Sequence, residues 1–186
     1  DFSEYGKLKS YRNALLENKK TIEVTDFGAG SKIFKSNSRQ ISQIAKTAGI
    51  SGKRAELLFR ITRYFQPKSI LEIGTSLGLG TSALTLGNEN SEITSLEGCQ
   101  QTAGVAKKLF AANGITNANF IVTEFQEYLN KLSNVKPEFD LIYFDGNHQK
   151  EATLQYFDLL LSTVKDNTVW IFDDIHWSAE MENAWK

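Results

Sequence analysis

Cysteine is nearly absent from this chain: Cys99 is the only one among 186 residues. A single thiol cannot build a disulfide framework or a thiolate metal cluster, and it suits a reducing, cytoplasmic setting. Histidine is almost as scarce, with His148 and His176 alone, and proline is limited to Pro67 and Pro137. No apolar run approaches the ~18 residues of a membrane span, so no membrane partner is expected. Charge of one sign is not in excess either. A net charge of −1 lacks the basic surface that nucleic-acid acceptors demand. Repeats and low-complexity segments are missing. The chain begins at Asp1 and not at Met, and a helical pattern runs into Lys186. Both ends therefore read as trimmed, and a signal peptide is not excluded.

What is present is an alternation. Apolar runs at 69–73, 92–96, 118–122, 139–144 and 168–172 read as strands. Helical spacing fills the gaps at 79–87, 98–113, 124–133 and 149–164. Ala103, Ala106, Leu109 and Phe110 form one expected apolar face; Leu154, Phe157, Leu160 and Leu161 form another. Continuous apolar strands alternating with helices predict a Rossmann-like, doubly wound, mainly parallel α/β sheet covered on both faces. Residues 1–68 differ and read as an N-terminal helical cap on a core of residues 69–186. The cap would hold helices at 8–18, 38–48 and 51–66, the last with Ser51 as N-cap and an apolar face of Leu57, Leu58, Ile61 and Phe65.

Two glycine turns compete for a nucleotide. Asp26 to Ser31 follows the alternating stretch Ile22 to Val24, but no strand ending in an acid arrives in the next ~40 residues, which leaves it a tight turn or a loop over the substrate. The second turn, Gly74 to Gly80, follows Ile70-Leu71-Glu72-Ile73, and the next strand ends on schedule in Glu97. A glycine turn lets a ligand approach the backbone, and an acid at the following strand tip can accept both hydroxyls of a ribose. This pattern asks for an adenosine-type cofactor.

Residues 70–174 resemble class I S-adenosylmethionine-dependent methyltransferases, and among them the O-methyltransferases of the catechol and caffeoyl-CoA type. Leu71-Glu72-Ile73-Gly74-Thr75-Ser76-Leu77-Gly78 carries the first motif and Ile93-Thr94-Ser95-Leu96-Glu97 the second. Phe139 to Asp145 and Trp170 to Asp174 match the fourth and fifth strands. The resemblance implies a seven-stranded methyltransferase fold; either its last two strands lie beyond this chain or the sheet is incomplete. It implies transfer of a methyl group from S-adenosylmethionine to an oxygen of a small-molecule acceptor. Glu72, Gly74, Thr75, Ser76 and Gly78 would then meet the cofactor around the first turn, with Glu72 near its methionine end. Glu97 would hold its ribose and Glu124 and Phe125 border its adenine, with Gly98 and Asp145 also among the cofactor-binding residues.

In the metal-dependent branch of that family, the acid ending strand four joins an Asp-Asn pair ending strand five around a divalent cation. Asp145 and Asp173 match, and Asp174 stands where the amide usually stands. Three carboxylates near one point repel unless a cation or proton intervenes, and oxygen ligands suit Mg²⁺, Ca²⁺ or Mn²⁺. His148, three residues after Asp145, occupies the place of a lysine that takes the substrate proton, and histidine can do that work near neutral pH. His148 and Asp145 are thus the expected catalytic pair. His176 is a candidate ligand, base or cap, and Trp177 and Trp185 are candidate walls of an acceptor pocket.

Two other readings stay open. Gly74-x-x-x-Gly78-x-Gly80 also fits a nicotinamide-dependent short-chain oxidoreductase. Against it, Tyr128-Leu129-Asn130-Lys131 lacks the Tyr-x-x-x-Lys spacing of that class, and Glu72 favours a sulfonium. A non-catalytic binding module on the same fold is the other. The basic cluster of Lys32, Lys35, Arg39 and Lys46 reads as a solvated helix face or, alternatively, a contact for an anionic acceptor, and the helical N-terminal arm is compatible with a homodimer.

Overall fold

The computed structural model describes residues 2–27, 30 and 34–186. The chain runs α1 (Glu4–Glu17), β1 (Thr21–Glu23), β2 (Ser38–Gln40), α2 (Ile41–Thr47), α3 (Gly52–Phe65), β3 (Ser69–Ile73), α4 (Leu79–Gly87), β4 (Glu92–Glu97), α5 (Gln100–Ala112), β5 (Ala118–Val122), α6 (Phe125–Val135), β6 (Phe139–Phe144), α7 (Lys150–Leu160), β7 (Val164–Phe172) and α8 (Ala179–Trp185). Among the described residues the main sheet has five strands in the order β5-β4-β3-β6-β7, all parallel. β3 lies at its centre and is buried from Ile70 to Ile73, as a strand covered on both faces must be. No helix among the described residues is long and apolar enough to cross a membrane.

Two cores flank the sheet. Leu71, Ile73, Leu96, Ile142 and Phe144 point one way, onto Leu129 and Leu132 of α6 and Tyr156 and Leu160 of α7. Ile70, Ile93, Leu141 and Tyr143 point the other way, onto α4 and α5. Leu8, Tyr11 and Leu15 of α1, Ile41 and Ile44 of α2, and Leu58 and Phe59 of α3 belong to this same second core. The N-terminal helices therefore share the sheet's apolar interior. α4 is buried on every side; its residues are small or apolar, and the hydroxyls of Thr81, Ser82 and Thr85 are all hydrogen-bonded.

Four local expectations differ from the structure. The helix expected over 149–164 ends at Leu160, and the strand expected from 168 already begins at Val164. Residues 38–40 form an edge of a small antiparallel pair, Thr21↔Gln40 to Glu23↔Ser38, so the second helix starts only at Ile41. α3 buries Ala55, Leu58, Phe59 and Thr62 and leaves Leu57 and Phe65 exposed, because its narrow side faces α4. α7 buries Thr153, Tyr156 and Leu160, whereas Leu154 and Leu161 are exposed. Here the Thr153 hydroxyl meets the Met181 sulfur of α8, so the buried stripe is turned toward that helix.

One backbone position fixes the geometry at the strand tips. Gly74 has φ +107, and a Cβ there would lie 2.2 Å from the Asp145 carbonyl oxygen. Only glycine fits both the conformation and the space. The tips of β3 and β6 are thereby held against each other.

Candidate active site

A cavity of about 430 Å³ opens at the carboxyl ends of the strands, the place where parallel α/β sheets bind ligands. The structure brings Gly74, Ser76, Glu97, Gly98, Glu124, Phe125, Asp145, His148, Asp173 and Asp174 to its wall, together with Trp177. It does not bring Glu72, Thr75 or Gly78 there. Of the first glycine loop, Asp26, Phe27 and Gly30 line the cavity, while Gly28, Ala29 and Ser31 lie outside the described residues, as does Lys32.

At one end of the cavity, Glu97 is held by backbone donors. The Ser76 N–H donates to its Oε2 at 2.6 Å and the Cys99 N–H to its Oε1 at 2.9 Å. Burial nonetheless pushes its carboxyl above the ordinary value, outweighing those bonds. The Phe27 ring lies over the adjoining Gly98, where a Cβ would come within 2.6 Å of it. The N-terminal segment therefore closes on the tip of β4.

Glu72 sits behind the turn, fully buried. The hydroxyls of Thr81 and Ser95 both donate to its Oε2 at 2.5 Å, and Thr75 in turn donates to Ser95. Its Oε1 has no hydrogen-bond partner among the described residues. Burial pushes the carboxyl up to about 7, against the two hydroxyl bonds and with some help from Glu97. The arrangement makes Glu72 and Thr75 a polar bracket between β3, β4 and α4, from which neither reaches the cavity.

The other end of the cavity is acidic. The Tyr143 hydroxyl lies 3.1 Å from Asp145 Oδ2 and 3.2 Å from Asp173 Oδ2. Burial, then Asp173 and Glu72, hold the Asp145 carboxyl well above the usual range. The donor atoms of Asp145, His148 and Asp174 lie within 4.8 Å of one another. His148 and its neighbour Asn147 both adopt left-handed backbone (φ +49 and +69), a conformation uncommon outside glycine. Its ring is 5.9 Å from Trp177. Burial lowers the His148 pKa, against the pull of Asp174 and Asp173. His176 is exposed and pairs with Glu182 at 3.0 Å, and Trp185 stacks edge-on against Phe172; neither lines the cavity.

The two carboxylates fit a divalent cation of the Mg²⁺ or Mn²⁺ kind, whereas an imidazole ligand beside them would favour a transition ion. Asp145 and Asp174 are the oxygen donors common to the expected set and the observed cluster. Asp173 lies outside that cluster, and it shares Tyr143 with Asp145 and Arg54 with Asp174. His148 cannot be both ligand and base, because both uses need the same lone pair.

Sequence reasoning did not find Arg54, Phe34, Ile50 or Tyr156, which also line the cavity, and it read Arg39, which lines it too, as part of a solvated face. Only Tyr156 carried a signal, as an aromatic hydroxyl on a helix packed beneath β6. The chain does contain Tyr-x-x-x-Lys spacings, at Tyr5–Lys9 and Tyr64–Lys68, but neither pair reaches the cavity.

A glycine turn after the central strand, an acid at the tip of its neighbour and further acids beyond the switch in strand order define an α/β protein built for a nucleoside-bearing cofactor. The family model of a methyltransferase domain matches residues 71–175, more than half of the chain, and the chain belongs to that family. Among curated proteins nothing matches significantly. Solved structures with the same fold include an O-methyltransferase from Bacillus cereus in complex with SAH (S-adenosylhomocysteine), 22% identical, TM-score 0.66, covering 75% of this chain and 70% of that one. They include TomG from Streptomyces achromogenes, an O-methyltransferase involved in tomaymycin synthesis, in complex with SAM (S-adenosylmethionine), 22% identical, TM-score 0.64, covering 74% and 67%. SAH-bound PaMTH1 from Podospora anserina is 21% identical, TM-score 0.63, covering 94% and 72%.

Proposed function

We propose that the chain transfers a methyl group from S-adenosylmethionine to an oxygen of a small-molecule acceptor, assisted by a divalent cation. The observation that carries this reading is the placement of Glu97 and the Asp145–His148–Asp174 cluster at opposite ends of one cavity, with the glycine turn at Gly74 between them. The family match supports methyl transfer. Relatives of the same fold bound to SAM or SAH support the cofactor and the oxygen acceptor. The net charge of −1 favours a small molecule over a nucleic acid.

In this reading the cofactor supplies an electrophilic methyl group on sulfur. The protein's task is to hold the acceptor oxygen in line and to take its proton. Glu97 accepts the ribose hydroxyls, and Ser76 and Gly98 let the nucleoside lie against backbone. Phe27 and Phe125 offer aromatic walls, while Glu72 and Thr75 keep the turn in shape from behind. His148 takes the acceptor proton. Asp145 and Asp174 would hold the cation, which lowers the pKa of the acceptor oxygens.

Calorimetric titration with S-adenosylhomocysteine, with and without Mg²⁺, tests the reading. Binding to the wild type that is weakened about 100-fold or more in Glu97→Ala is expected, since two charge-assisted bonds are lost. Equal binding by both proteins would refute the assignment of Glu97.

A further inference from the structure

Arg54 lies in the first turn of α3. Its backbone N–H donates to the Ser51 hydroxyl that caps the helix, at 3.3 Å, which fixes the root of the side chain at the cavity wall. From there Nη1 reaches two carboxylates at once, Asp173 Oδ1 at 3.0 Å and Asp174 Oδ1 at 3.2 Å. The Asp174 N–H also donates to Asp173 Oδ1 at 2.8 Å, tying the two acids together. Asp174 is at the same time one of the three side chains whose donors converge within 4.8 Å. One carboxylate is thus shared between a fixed guanidinium and the convergent cluster.

That sharing has an electrostatic consequence. An ion entering the cluster would meet the guanidinium charge close by, on a carboxylate whose Oδ1 is already engaged. A guanidinium carries its charge at every working pH and cannot withdraw by losing a proton. It can only swing away. Its side chain is 57% exposed, so room to swing exists on the solvent side.

We propose that Arg54 is a built-in counter-cation for the strand-tip carboxylates, which a divalent cation must displace from Asp174 in order to bind. The inference rests on the cation reading above. Arg54 then sets the concentration at which the site loads, and it couples loading to the position of α3 at the cavity wall. Two partly exposed ion pairs put the scale of the effect at about tenfold in affinity.

The test is Mn²⁺ binding to the full chain, followed by the loss of the free-ion paramagnetic resonance signal. The proteins are wild type, Arg54→Gln, Arg54→Lys and, as a charge control on α2, Lys46→Gln. Arg54→Gln should bind Mn²⁺ about tenfold more tightly, with Arg54→Lys and Lys46→Gln near the wild type. Its melting temperature without Mn²⁺ should be lower, and its rise on adding Mn²⁺ larger, than in the wild type. Equal affinity in Arg54→Gln and wild type overturns the inference while leaving the cation reading intact. An equal gain in Lys46→Gln overturns it too, as a general effect of charge. Absence of Mn²⁺ binding in every protein overturns the cation reading and this inference together. S-adenosylhomocysteine titration of the same proteins reports whether the cofactor site survives.

Discussion

The phenolic oxygen of Tyr11 on the first helix donates a 2.8 Å hydrogen bond to the carbonyl of Leu77, in the turn that follows the central strand. The two residues are 66 positions apart, and the bond is buried. Tyr11→Phe should therefore leave the Leu77 carbonyl without its partner. We expect a loss of about 1–3 kcal/mol, read as a fall in melting temperature with little change in secondary structure. An unchanged melting temperature would mean that the first helix does not brace the turn.

Glu72 gives a pH dependence with a definite sign. Its carboxyl is at about 7 in the folded chain against a reference of 4.5. The folded state then holds a proton that the unfolded state has released, so stability falls as pH rises from about 4.5 to 7. The span corresponds to on the order of 3 kcal/mol. Asp145, Glu97 and His148 titrate as well, so the useful quantity is the difference between wild type and Glu72→Gln. That difference should shift in favour of the variant across this window in denaturant titrations. A flat difference would exclude Glu72 as the titrating group.

Gly74→Ala should fail to fold normally. The added Cβ would face the Asp145 carbonyl at 2.2 Å with a φ of +107, and neither the backbone nor the carbonyl can move without opening the β3–β6 pair. A destabilisation above about 3 kcal/mol is expected. Soluble yield and melting temperature check it.

His148 separates base from ligand. With the imidazole as the base, His148→Ala should slow turnover of a catechol probe by about 100-fold or more and leave Mn²⁺ affinity where it was. A large fall in Mn²⁺ affinity would instead make the imidazole a ligand.

The five core strands were legible from their apolar segments, clearest in the buried β3, although β4 is half polar and β7 begins at Val164, where the polar Lys165-Asp166-Asn167 hid its first half. Glu97 was legible because spacing alone puts it at a strand tip. The β1–β2 pair was not, since Ser38-Arg39-Gln40 is polar and pairs through its backbone. The buried face of α3 was misplaced because small residues, Ala55 and Thr62, face α4 while large ones, Leu57 and Phe65, face out. Arg54 could not be read at all. Its partners lie 119 and 120 positions away, and an arginine in the first turn of a helix has no local pattern to mark it.

The strand order has one more consequence. Glu97 ends β4 and Asp145 follows β6, on either side of β3. Neighbouring strands are spaced at about 4.8 Å, so the sheet sets these two groups roughly 10 Å apart across its width. In the function proposed above, the backbone is a ruler between the nucleoside and the reacting oxygen. Changes in the loops or in the N-terminal helices can alter which acceptor is admitted, but they cannot alter that span. Divergence in what this scaffold accepts is therefore confined to its rim.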